Sequence, residues 1–147
     1  MMLDMQYSKT GYDLTKQFEG CRLEAYQDGG GVWTIGFGHT HHVREGDVIT
    51  QDQADGYLMA DISDAQDAVN DYVEVRIAQG MYDALVDFTF NCGVNAFKTS
   101  TLLKKLNRGD FSGACDELDR WVYDNGVRIA GLARRRDAEQ EMFKGDA

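Results

Sequence analysis

Residues 18–40 read FEGCRLEAYQDGGGVWTIGFGHT and hold Glu19, Asp28 and Thr34. Two carboxyl groups held apart around a bound molecule can break a glycosidic bond. One protonates the leaving oxygen, and the other activates water on the far face or attacks directly. Glu19 suits the acid. It falls at the last turn of a helix, where the negative end of the dipole favours the protonated form, as leaving-group protonation requires. Asp28 precedes Gly29, Gly30 and Gly31. One glycine serves most two-residue hairpins, so three fit a backbone that something approaches closely or a tip that flexes. Thr34 alternates with Trp33 and Ile35 along a strand; if those neighbours pack, its hydroxyl faces the open side and could hold a water or orient Asp28. Tyr26, Trp33 and Phe37 offer flat surfaces of the kind sugars pack on. Each residue also has a plain structural reading: a solvated Glu, an Asp–Gly turn, a β-branched strand residue.

The surrounding pattern supplies the elements that must position these groups. Ser8 to Phe18 reads as a helix, with Leu14 and Phe18 four apart and Gly20 as its stop. From about Leu23 to Val48 short β-type runs follow (EAYQ, VWTIGFG and HHVRE), suggesting a small antiparallel sheet. TQDQ at Thr50 fits a helix-opening capping box with Gln53, ahead of Tyr57, Leu58, Ile62, Ala65, Ala68 and Val69 at helical spacing. MYDALVDFTFN (81–91) is apolar on nearly all sides and reads as a buried central helix. Shorter helices follow from Ser100, after Asp110, and over Leu132 to Phe143. The plan is α+β and mostly helical, in two lobes, with pockets expected in a cleft between them. Leu85, Phe88, Phe90 and Trp121 are expected in the core.

The 147 residues suffice for one domain, and the net charge of −10 argues against nucleic acid as partner. The short basic segment LARRRD (132–137) is the nearest approach to a basic face, and the acidic middle reads as a solvated helix face. No apolar run is long enough to span a membrane, and the start, MMLDMQYSKTG, is too polar for an anchor or signal. Cys21, Cys92 and Cys115 lack metal or redox spacing and read as reduced structural thiols, Cys21 as a small buried hydrophobe or, alternatively, a redox-sensitive thiol near the site. His39, His41 and His42 lack a matching carboxylate or cysteine, so no metal is expected.

The stretch resembles the phage-type lysozymes, glycoside hydrolase family 24. The family pattern is Glu, eight residues, Asp or Cys, five residues, Thr, and this chain gives Glu19, Asp28 and Thr34 at that spacing. The likeness continues through FNCGVNAF (90–97), STLLKKLN (100–107), RW (120–121) and GLARRRDAE (131–139). It implies a lysozyme-like fold: a small antiparallel β-sheet lobe joined by a long helix to a helical lobe. The chain would then form a single domain over 1–147, with the β-containing lobe at about 18–60 and the helical lobe at about 61–147 plus the N-terminal helix.

The resemblance further implies an endolysin muramidase. It would cut the β-1,4 bond between N-acetylmuramic acid and N-acetylglucosamine in peptidoglycan, with inversion and without a cofactor. Glu19 is assigned as general acid, with Asp28 and Thr34 positioning water. Tyr26, Trp33, His39 and Arg135 are supporting residues, Arg135, with Arg134 and Arg136 as its neighbours, matching the family arginine that stands against the catalytic Glu. The enzyme is expected to be a monomer that waits in the host cytoplasm for a holin pore. A lytic transglycosylase would need only the Glu, a wall-binding module none of the three, and an amidase or peptidase zinc or a Cys–His pair.

Overall fold

The computed structural model describes residues 3–145; Met1 and Met2, at the head of the polar start, and Asp146 and Ala147 lie outside the described residues. Ser8 opens helix α1 (Lys9–Glu19), its C=O accepting from Tyr12 N–H at 3.0 Å and its hydroxyl from Gly11 N–H at 3.3 Å. Gly20, at φ +68°, closes the helix with its N–H on the Lys16 C=O at 3.0 Å. That is the left-handed cap only glycine adopts freely. It makes Glu19 the last helical residue.

Strands β1 (Arg22–Gln27) and β2 (Trp33–Gly36) pair antiparallel, with Tyr26 opposite Thr34 and Gln27 opposite Trp33. The expected third strand at HHVRE does not form. His42 (φ +59°) and Gly46 (φ +88°) turn the backbone away from extension, leaving only single bridges between Glu24 and Val48 and between Ile35 and His39. The capping box read from TQDQ is present. Gln53 N–H donates to Thr50 Oγ1 at 3.1 Å, and Thr50 N–H donates to Gln53 Oε1 at 2.9 Å. Helix α2 then runs Gln51–Tyr72 over a buried stripe of Ala54, Leu58, Ile62, Ala65, Ala68 and Val69.

Helix α3 (Gln79–Cys92) is buried from Tyr82 through Thr89, as an apolar run of that length requires. Three shorter helices follow: α4 (Val94–Lys98), α5 (Thr101–Asn107) and α6 (Phe111–Glu117). Ser100 caps α5 by accepting from Leu103 N–H at 3.1 Å, and Asp110 caps α6 by accepting from Gly113 N–H at 2.9 Å. A 3₁₀ turn at Leu118–Arg120 leads into a two-stranded hairpin, β3 (Tyr123–Asp124) and β4 (Val127–Arg128). Helix α7 (Ala130–Lys144) packs chiefly on α3.

Leu85 and Phe88 are fully buried, but Phe90 and Trp121 are only half-buried, a correction to the expected core. Trp121 meets Phe88 edge-on at 5.2 Å and turns its remaining surface to an open cavity. Thr15–Ser63 forms one compact unit and the remaining described residues form another, both cuts falling inside helices. No helix among the described residues is long and apolar enough to cross a membrane.

Candidate active site

Asp28 and Thr34 are fixed by one hairpin through Val32. Asp28 Oδ1 accepts from the N–H groups of Gly30 and Val32, each at 2.9 Å. The Val32 C=O accepts in turn from Asp28 N–H at 2.9 Å and from the Thr34 hydroxyl at 3.0 Å. Asp28 is exposed, and one of its two carboxylate oxygens is committed to the turn. Of the three glycines only Gly31 takes a positive φ, +81°. Thr34 corrects the expectation of an open hydroxyl. It is 4% exposed, because Ile35 and Thr34 both pack while Trp33 stays half-exposed. Having given its proton to Val32, the Thr34 hydroxyl keeps only acceptor capacity. Tyr26, opposite Thr34, is half-buried with the Arg22 guanidinium 4.4 Å over its ring. Phe37 is 6% exposed, so it packs rather than offering a platform.

Glu19, half-buried, faces the loop that follows β2. Ile35 and His39 exchange two backbone hydrogen bonds of 2.9 Å, which pinch Gly36, Phe37 and Gly38 into a tight loop. A Cβ built on Gly38 would stand 2.8 Å from Glu19 Oε1. His39 Nδ1 lies 2.8 Å from Asp61 Oδ2, and its ring stacks on Tyr57 with centroids 4.3 Å apart. His39, His41 and His42 share a cavity of about 590 Å³ with Ile35 and Tyr57. Among the described residues, no three His, Cys, Asp or Glu side chains group so as to hold a metal.

The basic segment at the C-terminal end is mostly internal, which corrects its reading as a surface patch. Arg134 is exposed, but Arg135 and Arg136 are buried. Arg135 grips buried Asp87 with two prongs, Nε to Oδ2 at 2.9 Å and Nη2 to Oδ1 at 2.8 Å. Arg136 donates to Glu139 Oε2 (2.9 Å), Asn91 Oδ1 (2.8 Å), Cys92 Sγ (2.9 Å) and the Trp121 C=O (3.3 Å). Burial, and then the neighbouring Asp87 carboxylate, holds the Glu139 carboxyl well above the usual range, against the pull of Arg136. The acidic middle is therefore not all solvated face, since Asp83 and Asp87 are buried and Asp61 meets His39. Sequence reasoning missed the Gly38 approach to Glu19 and this internal network. GFG was the signal for the first; the buried run read at 81–91 contains Asp87, and nothing in the sequence marked Glu139 as internal.

All three cysteines are free, and Cys21 is exposed, contrary to the expected burial. It lies past the helix end, with its sulfur 3.9 Å from Gln51 Oε1. Burial raises the thiols of Cys92 and Cys115 above their ordinary value. Iodoacetamide on the folded protein should therefore label Cys21 first and Cys115 last. Mass mapping of a time course checks the order, and early loss of free Cys115 would contradict it.

A mostly helical chain with two short antiparallel hairpins is the architecture of the lysozyme-like fold. A model of the phage lysozyme family matches residues 16–139. The endolysin of Acyrthosiphon pisum secondary endosymbiont phage 1 is 47% identical over 144 residues, covering 95% of this chain and 99% of its own. The endolysin from Escherichia coli O157:H7 phage FAHEc1 superposes with a TM-score of 0.95 at 36% identity, covering 100% of this chain and 98% of its own. The muramidase domain of SpmX from Asticaccaulis excentricus gives a TM-score of 0.90 at 39% identity, covering 95% and 98%. The chain belongs to the phage lysozyme family. It is a hydrolase of the endolysin type, with peptidoglycan as its substrate.

Proposed function

We propose that the enzyme is an inverting muramidase cutting the β-1,4 bond between N-acetylmuramic acid and N-acetylglucosamine, with Glu19 as general acid. Glu19 protonates the leaving oxygen. Asp28, with one oxygen committed to the turn, offers the other to the attacking water and draws off its proton. The Thr34 hydroxyl, an acceptor once its own proton is on Val32, orients that water. The observation that carries this reading is the hydrogen-bonded path from Asp28 through Val32 to Thr34. It holds a carboxylate and an acceptor in fixed relation on a rigid hairpin, as water activation needs. Trp33 and Tyr26 are the sugar-contacting candidates. His39 braces the loop facing Glu19, and Arg135, held by Asp87, is the supporting arginine. The single domain is proposed to act as a monomer, resident in the host cytoplasm until a holin opens access to the wall.

Digestion of purified peptidoglycan, read by mass spectrometry, tests the reaction. Fragments ending in reducing N-acetylmuramic acid are expected. Products lighter by one water would mean a transglycosylase, leaving Asp28 and Thr34 without a task.

Asp28→Asn separates the turn from the chemistry. Its amide oxygen can still accept from Gly30 and Val32, so the hairpin should survive. The loss of the charge should lower kcat by roughly 10²-fold or more. Near-normal kcat in a folded Asp28→Asn protein would reduce Asp28 to a turn residue.

A further inference from the structure

We infer that Gly38 is a positioning residue for the acid, and that its lack of a side chain fixes where the Glu19 carboxyl sits. The inference rests on the reading of Glu19 as general acid. The loop that carries Gly38 cannot retreat. Its feet are tied by the paired 2.9 Å bonds between Ile35 and His39. Its middle is plugged by buried Phe37, and its far end is anchored by His39 on Asp61 and Tyr57. Gly38 itself is at φ +76°, and the Cβ it lacks would meet Glu19 Oε1 at 2.8 Å and the carboxyl carbon at 3.8 Å. That oxygen is the end of a flexible side chain, while the loop is braced. A methyl at position 38 therefore displaces the acid rather than the backbone. A misplacement near 1 Å costs a catalytic group on the order of 10²-fold in rate.

Gly36 supplies the internal control. It sits in the same loop at φ +63°, but a Cβ there would meet Ala54 and Ile49 at 3.4–3.5 Å, ordinary packing contacts away from Glu19. Alanine at either position carries similar backbone strain, and only one of the two methyls reaches the acid.

The test compares full-length wild type, Gly36→Ala, Gly38→Ala and Gly38→Asn by melting temperature, by kcat and KM on soluble glycan-strand fragments, and by crystallography of the Gly38 variants. Asparagine tolerates positive φ better than alanine, so Gly38→Asn keeps the Cβ with less strain should Gly38→Ala fold poorly. Both alanine variants are expected to melt a few degrees lower. Only the Gly38 variants should lose kcat, by roughly 10²-fold, with KM nearly unchanged and the Glu19 carboxyl swung from its wild-type position. An unmoved carboxyl, or kcat in a folded Gly38 variant within about threefold of wild type, would overturn the inference. Glu19→Gln distinguishes the two levels. Full activity there removes the acid assignment itself, whereas an inactive Glu19→Gln beside an active Gly38→Ala removes only the role of Gly38.

Discussion

Glu19→Gln should lower peptidoglycan hydrolysis by roughly 10²–10⁴-fold, the contribution typical of a positioned general acid. The amide keeps the shape of the carboxyl, so the close approach to Gly38 stays filled and the Gly20 cap is untouched. Glu19 is half-buried at a helix terminus. The replacement is isosteric, and the melting temperature should stay within a few degrees of wild type. Clearing of a wall suspension and thermal unfolding, measured on one preparation, read both quantities. A fall of more than about 10 °C would make Glu19 a structural residue. Retained clearing would move the acid elsewhere.

Arg136→Met should be the most damaging single change to stability. Arg136 is 0% exposed and serves Glu139, Asn91, Cys92 and the Trp121 carbonyl at once. Removing it strands Glu139 in the interior, and breaking a buried pair from one side costs about 3–5 kcal/mol. For a chain of this size that is a fall in melting temperature of roughly 10 °C. The double variant Arg136→Met/Glu139→Leu should be less damaged than Arg136→Met alone, because no unpaired buried carboxyl remains. If the double variant is the worse of the two, the pair is not the source of the loss.

Glu139 adds a pH signature. Its carboxyl is held well above the ordinary 4.5 in the folded protein, so above that pH the folded state binds more protons than the unfolded. Stability drawn from Glu139 is therefore complete below about 4.5 and drains away as pH rises toward the raised value. In Glu139→Gln this slope is absent, so the deficit relative to wild type should shrink with rising pH.

Much of this architecture was legible because it is written in local chemistry. Ser100, Asp110 and the Thr50/Gln53 pair announce helix starts by capping, and Gly20 announces a stop. The buried run of α3 reads directly from its apolar length. What escaped depends on non-local geometry or on signals too short to count. Helix α4 spans five residues, less than two turns, and leaves no period. The hairpin at 123–128 was overlooked although Asn125–Gly126, at φ +50° and +78°, is a strong two-residue turn signal. HHVRE looked extended by residue type, yet His42 takes the left-handed region. The site followed the same division. Spacing singled out Glu19, Asp28 and Thr34, but only the three-dimensional structure brings Gly38 against Glu19 and buries the Thr34 hydroxyl against Val32.

The segment before α1 is stitched to residues far along the chain. Tyr7 N–H reaches Gln66, Met5 pairs with Asn70 and receives the Tyr82 hydroxyl, and Ser8 binds Asp83, across 59 to 77 positions. During synthesis from the N-terminus the segment before α1 emerges ahead of Gln66, Asn70, Tyr82 and Asp83. At about 5–20 residues per second it waits roughly 3–15 s, while Glu19, the hairpin and the loop facing Glu19 are all translated. Ribosome-stalled nascent chains would record the delay as protease cuts ahead of α1 that cease only after Asp83 has emerged. The order of manufacture thus places the candidate site early and the closure of the helical body last.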